Sequence, residues 1–438
     1  MKVAVIGLDC AAPRLVFDRF RSELPNLSRL MDGGCWGRLL STHPPITVPA
    51  WACMMRSKDP GQLGIYGFRN RKDHTYNGLS IANASALPSD ALWDRLGEAG
   101  KKVIVLGVPP SYPPKPVNGV QVGCFLTPTT RRTWTFPDEV RHEIDKVAPG
   151  YVVDVEGFRT DDKEALLGRI YDKTRKHFAV ARHLVTTRPW DFFMMVEMGV
   201  DRIHHGFWKH MDPEHPKYEA GNPWEHAIRD YYRHCDREIG ELLALFPEDT
   251  AVLVVSDHGA KKLDGGICFN EWLIKNGFLT LASRPAGPTP ISKTSIDWSK
   301  TLAWGDGGYY GRLFLNVRGR EPQGILDPAD YEKVRSDLVA AIAGIEDHRG
   351  RNIGSKAWRP EELYKEVRNV APDLTVYFGD LDWRSIGSVG LDAIHTFEND
   401  TGPDDANHDW HGIFILNVPG GAPAAAATGG PGAAGALP

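Results

Sequence analysis

The sequence predicts an α/β fold built on a mainly parallel central sheet. Three observations predict it. Short apolar runs rich in β-branched residues recur along the first 260 residues, as strands buried on both faces do. Segments of helical length and period alternate with them. Three of the runs lead directly to an acidic residue, Asp9, Asp201 or Asp257. Open α/β sheets bind ligands at that carboxyl edge.

Taken in order, residues 3–8 form the first buried strand, closed by Asp9. A helix is expected over 13–31, stopped by Gly33-Gly34, and a short strand over 39–42. Pro44-Pro45-Ile46-Thr47-Val48-Pro49 reads as a loop that opens a helix through Trp51 and Met55. A helix over 90–99 and a strand over 102–106 follow. A long helix is expected from 162 to 184, a strand over 191–197, a helix over 225–245 and a strand over 250–255. That strand ends in Ser256-Asp257-His258-Gly259.

Beyond residue 260 the alternation loosens. A short helix near 270–276, a strand over 312–317 and a helix over 328–343 are expected in a lobe inserted at about 262–370. Strands at 374–378 and 413–418 are expected to return to the core. The domain reading is therefore a catalytic core over 1–418, the inserted cap lobe within it, and a Gly/Ala/Pro tail over 419–438. Such a tail is expected to be disordered.

Composition narrows the function classes. At 438 residues the chain is long enough for two or three lobes. With 42% hydrophobic and 24% charged residues it reads as globular and soluble. The net charge of −5 argues against a nucleic-acid partner. The six cysteines include no Cys-x-x-Cys pair, which suggests free, mostly buried thiols in a reducing compartment. The first apolar run is too short for a signal peptide, and no stretch approaches the ~20 apolar residues of a membrane span. The expectation is a cytoplasmic protein with no membrane contact.

Three carboxylates converging on one sheet edge would repel one another unless positive charge lay between them. Histidines accompany two of them: His204 and His205 after Asp201, and His258 after Asp257. Carboxylate oxygens and imidazole nitrogens suit zinc, manganese and related divalent ions. In Asp201-Arg202-Ile203-His204-His205 the spacing of four puts Asp201 and His205 on one helix face. Asn407-His408-Asp409-Trp410-His411-Gly412 supplies a further histidine just before a strand. Each piece alone is common by chance; their order, each at a strand end, is not.

With these segments in place, the chain resembles the alkaline phosphatase superfamily. The likeness is to the type I phosphodiesterase/nucleotide pyrophosphatase branch and its prokaryotic phosphohydrolase/phosphomutase relatives. It rests on Val5-Ile6-Gly7-Leu8-Asp9, on Pro44 to Trp51, on Asp59-Pro60-Gly61-Gln62-Leu63-Gly64-Ile65-Tyr66-Gly67-Phe68, and on the three histidine-bearing segments. The resemblance implies an alkaline-phosphatase-like three-layer sandwich and two divalent metal ions, zinc expected and manganese the alternative. One ion would be held by Asp9, Asp257, His258 and the oxygen of Thr47, the other by Asp201, His205 and His408. His411 stands where the family has an acidic residue and is the fallback for His408. His204 is expected to face solvent or the surroundings of the site. Cys10 replaces the usual glycine, and Arg56 stands where threonine is frequent; both are expected to reshape the pocket edge.

The same resemblance makes Thr47 the nucleophile of a phosphate-ester hydrolase working through a phosphothreonine intermediate. Metal coordination can activate such a hydroxyl, and a helix start attracts phosphate. The competing role for Thr47 is a plain helix N-cap. The sister sulfatases need Cys or Ser in Cys-x-Pro-x-Arg, which Thr47-Val48-Pro49-Ala50-Trp51 lacks. The expected partner is a small-molecule phosphate ester, mono- or diester, with a nucleotide as one candidate. Arg69, Asn70 and Lys261 are candidate substrate contacts, and Trp304 to Tyr310 would line the cap side of the cleft or form a packed turn. Two other readings stand beside the hydrolase: a phosphomutase-like phosphoryl transferase, and a metal-binding protein without catalysis. A dinucleotide-dependent oxidoreductase is excluded, because Gly7-Leu8-Asp9-Cys10 is not G-x-G-x-x-G.

Overall fold

The apolar run after Lys2 forms the strand Val3–Leu8, which lies inside an eight-stranded sheet. The computed structural model describes residues 1–88, 90–128 and 133–420. Across the sheet the order is Cys35–Leu40, His411–Asn417, Ala251–Val255, Val3–Leu8, Phe192–Glu197, Val103–Leu106, Gly119–Val122 and Thr135–Phe136. The strands from Ala251–Val255 to Gly119–Val122 are parallel, and antiparallel pairs close both ends.

Alternation along these strands makes three layers. Ala4, Ile6 and Leu8 pack with Ile203, Phe207, Leu166 and Ile239, from the helices Lys163–Thr187, Gly199–Met211 and Ala227–Leu243. Val5, Val105 and Met194 face the other way, onto Trp51, Met55 and Trp93 beside the helices Thr47–Met54 and Leu92–Glu98. Apolar residues fill both faces, so the strands read as continuous runs. Gly7 lets this second layer approach closely: a Cβ there would lie 2.7 Å from the Trp51 ring and 2.8 Å from Val196.

Three sequence expectations change. The helix expected over 13–31 is three pieces: a π-helical Arg14–Arg19, a 3-10 turn Arg21–Glu23 and the α-helix Pro25–Asp32. Pro25 disfavours helical geometry in the residue before it, and Leu24 sits at φ −118°, ψ 68°. The strand expected over 39–42 runs instead from Cys35 to Leu40, because pairing with His411–Asn417 starts directly after Gly33-Gly34. The strand near 374–378 forms as Leu374–Tyr377, but it does not join the central sheet. It pairs with Gly311–Leu315 and Lys356–Trp358 in a separate four-stranded sheet.

That second sheet has its own core, in which Leu313, Leu315, Leu374 and Val376 meet Phe269, Leu273, Leu338 and Ile342. The strand His411–Asn417 does return to the central sheet. The six cysteines are free, and all but Cys35 are buried. No helix among the described residues is long and apolar enough to cross a membrane. The tail expected from 419 onward lies, from residue 421, outside the described residues.

Candidate metal centre

The parallel register puts Asp9 and Asp257 at the same level on neighbouring strands, since Gly7 pairs with Val255. Both are buried. The Trp51 indole Nε1–H donates to Asp9 Oδ2 at 2.7 Å, and the Cys10 amide donates to Asp257 Oδ1 at 3.2 Å. Cys10 has φ 67°, in the left-handed region that favours glycine. Ser41 and Ser256 brace the turn, donating to the carbonyls of Asp257 and His258 at 2.6 Å each.

The third carboxylate comes from the next strand. Phe192–Glu197 leads into the helix Gly199–Met211, with Asp201 in its first turn. One turn later His205 places Nε2 3.1 Å from Asp201 Oδ1. His408 arrives on the short strand Ala406–Asp409, paired with Gly259–Lys262 so that His408 lies opposite Ala260. Its ring stacks on His258 with centroids 3.8 Å apart. Thr47, at the first turn of Thr47–Met54, holds Oγ1 3.3 Å from His258 Nε2 and 3.5 Å from Asp9 Oδ1. Ile46 occupies the N-cap position and the Thr47 side chain makes no capping bond, so the plain N-cap role does not apply.

The histidines share one orientation. His258 Nδ1 is 3.1 Å from the Gly259 carbonyl, and His408 Nδ1 is 2.9 Å from the Pro45 carbonyl. A carbonyl only accepts, so these Nδ1 atoms carry the hydrogen. His205 Nδ1 is 2.7 Å from Asp404 Oδ1. Each Nε2 atom then faces the carboxylates: His258 toward Asp257 Oδ2 at 3.2 Å and Asp9 Oδ1 at 3.8 Å, His408 toward Asp201 Oδ1 at 3.7 Å.

The electrostatics of these donors suit a bound cation. Burial, and after it Asp257, pushes the Asp9 carboxyl well above its ordinary range. Burial raises Asp257 in the same way, with Asp201 adding to it. Burial would also raise Asp201, but His205 and Arg202 outweigh it and hold that carboxyl well below the usual range. Burial, then His258 and His205, holds His408 well below its ordinary value. Asp257 Oδ2 and His408 Nε2 are buried without a hydrogen-bond partner. Buried polar atoms are normally satisfied, so these two fit the coordination of an ion. Asp201, His205 and His408 can offer ligand atoms within 4.8 Å of one another, as can Asp9, Asp201 and His258.

Other candidates have different positions. His411 lies opposite Leu40 on the strand His411–Asn417. His204 is fully buried rather than solvent-facing, 3.2 Å from the Tyr232 hydroxyl and edge-on to Trp208. The Asn70 side chain closes its own turn, accepting from the Tyr66 amide and donating to the Gly67 carbonyl. Lys261 reaches Asp382 at 3.0 Å and the Asp380 carbonyl at 2.9 Å. Arg69 is exposed, with its carbonyl held by Arg312. Arg56 pairs with Asp90 at 3.2 Å. Sequence reasoning missed Trp51 and Asp404, and it left Tyr309 undecided. Tyr309 stacks on both His205 and His408, with centroids 4.9 and 4.1 Å away.

The family model for type I phosphodiesterase / nucleotide pyrophosphatase matches residues 3–412. No curated protein matches the sequence. Among solved structures, phosphonoacetate hydrolase from Sinorhizobium meliloti 1021, in complex with phosphonoacetate, matches at a TM-score of 0.59 and 16% identity. That match covers 97% of this chain and 92% of the other. Human ectonucleotide pyrophosphatase/phosphodiesterase 5 matches at 0.55 and 12%, covering 95% and 88%. Its murine counterpart, as an inactive threonine-to-alanine variant in complex with AMP, matches at 0.52 and 13%, covering 96% and 88%. At these identities the likeness establishes the alkaline-phosphatase-like fold.

Proposed function

Because the chain belongs to the type I phosphodiesterase / nucleotide pyrophosphatase family, and is thereby a phosphoric ester hydrolase, we propose that it cleaves small phosphate esters by nucleophilic attack from Thr47. The observation that carries this reading is the common orientation of His205, His258 and His408. Each presents Nε2 to the carboxylates, and that of His258 lies 3.3 Å from the Thr47 hydroxyl. Asp9, Asp257, His258 and Thr47 would hold one divalent cation, and Asp201, His205 and His408 a second, with zinc favoured and manganese the alternative. When bound, such ions lower the proton affinity of a coordinated hydroxyl and offset the charge of the phosphoryl group.

The chain's own residues then do the following. The amides of Thr47 and Val48 open a helix, where no intrahelical acceptor exists for them, and they receive phosphoryl oxygens. Trp51 and Cys10 hold the Asp9 and Asp257 carboxylates in place by their hydrogen bonds. Thr47 Oγ1, its proton lost to solvent, attacks phosphorus as the bond to the leaving oxygen breaks. The leaving alkoxide takes a proton from water, and a phosphothreonine remains. Water then attacks the same phosphorus, restoring Thr47 and releasing phosphate from a monoester or a phosphomonoester from a diester. Two inversions give net retention at phosphorus. The AMP complex of the murine neighbour supports a nucleotide as one candidate substrate class, and its inactive threonine variant agrees with a threonine nucleophile. The free cysteines support a reducing, cytoplasmic setting.

The test is hydrolysis of p-nitrophenyl phosphate and bis-p-nitrophenyl phosphate by wild type and Thr47→Ala, with and without added zinc or manganese. Wild type should cleave at least one substrate only with metal. Thr47→Ala should lose ~10^3-fold or more in kcat, as removal of a nucleophile does. An undiminished Thr47→Ala rate, or inversion at phosphorus, refutes the covalent step.

A further inference from the structure

Asp404 lies on the segment just before the His408 strand and belongs to none of the ligand sets above. Its side chain is fully buried. Oδ1 accepts from His205 Nδ1 at 2.7 Å. Oδ2 accepts from Arg159 Nε at 3.1 Å, the Tyr309 hydroxyl at 3.2 Å and Arg384 Nη1 at 3.4 Å. The next residue clamps the same histidine from the backbone, since the Asp405 amide donates to the His205 carbonyl at 2.9 Å. Tyr309 lies over the His205 ring at an interplanar angle of 22°.

We infer that Asp404 is a positioning residue for His205, an inference that rests on the two-cation reading above. A carboxylate can only accept from Nδ1–H, so it keeps Nε2 aimed at the Asp201 and His408 side, as the nitrogen that gives up its proton when a cation binds. His258 and His408 have the same job done by neutral carbonyls of the strand turn and of Pro45. His205 sits on a helix, where nearby carbonyls are committed to the helical ladder, so a side chain from a distant segment supplies the acceptor. The two guanidiniums and the Tyr309 hydroxyl fix that acceptor in turn. Through Tyr309, from the turn between Ala303–Asp306 and Gly311–Leu315, the second lobe reaches the ring that Asp404 orients.

The experiment is zinc titration of metal-free full-length protein against a chromophoric chelator, for wild type and Asp404→Asn. Wild type should take up two equivalents. In Asp404→Asn one equivalent should weaken ~10- to 100-fold, the usual range for losing such a partner, while the other stays within about twofold. Two wild-type equivalents with neither weakened in the variant overturn this inference alone. Fewer than two wild-type equivalents overturn the proposed function with it. A second measurement needs no substitution: 15N spectra of cadmium-113-loaded wild type. Coupling of the metal to His205 Nε2, with a proton on Nδ1, is expected; coupling to Nδ1 refutes the assignment.

Discussion

Replacing Lys173 by methionine tests how the helix carrying Asp201 and His205 is anchored. Lys173 is 1% exposed, and its Nζ lies 3.0 Å from Glu197 Oε1, which is fully buried. Glu197 ends the strand before that helix, and the same Oε1 accepts from the Gly199 amide at 2.7 Å, Thr174 at 3.2 Å and Tyr231 at 3.4 Å. At an effective dielectric of about 20, two unit charges 3 Å apart attract by about 5.5 kcal/mol. Methionine keeps the apolar stem but leaves the carboxylate with neutral donors only. Breaking a buried pair from one side costs about 3–5 kcal/mol, largely from the stranded charge. At 3 kcal/mol the folded-to-unfolded ratio falls about 150-fold. The double change Lys173→Met with Glu197→Gln removes both charges and should lose much less than the sum of the single changes. The assay is urea unfolding of metal-free protein for all four members of the cycle. A Lys173→Met variant within about 0.5 kcal/mol of wild type, or additive losses, would show that this pair does not anchor the helix.

Trp51→Phe removes the hydrogen bond to Asp9 Oδ2 while keeping a buried ring. Zinc affinity at the Asp9 site should fall about 10-fold, as read by chelator competition, and an unchanged affinity would make the indole mere packing. Zinc uptake should also release protons. Burial and Asp257 hold Asp9 up, and Asp404 and Asp201 overcome burial to hold His205 up at about 9. Groups with raised values carry protons in the metal-free protein and lose them on ligation, so release should be larger at pH 5.5 than at pH 9.5. Calorimetry in buffers of different ionisation enthalpy measures this, and the absence of buffer dependence at pH 5.5 would contradict it. Acid stability should depend on His215. Burial holds it down to about 4, and its Nδ1 accepts from the Lys217 amide while Nε2 meets the Asp405 carbonyl. It is therefore neutral when folded but takes a proton near pH 6.5 when unfolded. Its stabilising contribution is complete above pH 6.5 and declines as pH falls to 4, by about 3 kcal/mol in all. Urea midpoints at pH 7.5 and 4.5 should show a smaller pH loss for His215→Gln than for wild type; equal losses would count against it.

The parts of this molecule that were legible in its sequence are those where one local pattern decides the outcome. Val3–Leu8, Phe192–Glu197 and Ala251–Val255 are buried on both faces, so their apolar runs announce them, and the acids that follow fall at the sheet's edge. Asp201 and His205 are a helix turn apart, so their meeting is a matter of spacing. Where tertiary pairing decides, local pattern failed. Cys35–Leu40 is half-buried except at the exposed Arg38, and owes its extent to a partner almost 380 residues away. Leu374–Tyr377 is as apolar as a central strand, and nothing in its composition tells which sheet it joins. The same limit hid Trp51, whose apolar surroundings disguise a hydrogen bond to a carboxylate. It also hid Asp404, which reads as one acid of an Asp-Asp pair in a loop. His205 carried the available signal: a helical histidine offered as a ligand needs an acceptor for its other nitrogen, and its own helix cannot supply one. That requirement demands a buried acceptor from elsewhere in the chain without saying which. The fold chose Asp404 because the segment that delivers His408 must pass His205 first, with the Asp405 amide bonded to its carbonyl. His408 and Asp404 therefore arrive together, four residues apart, and a change in the length of that segment would disturb both at once.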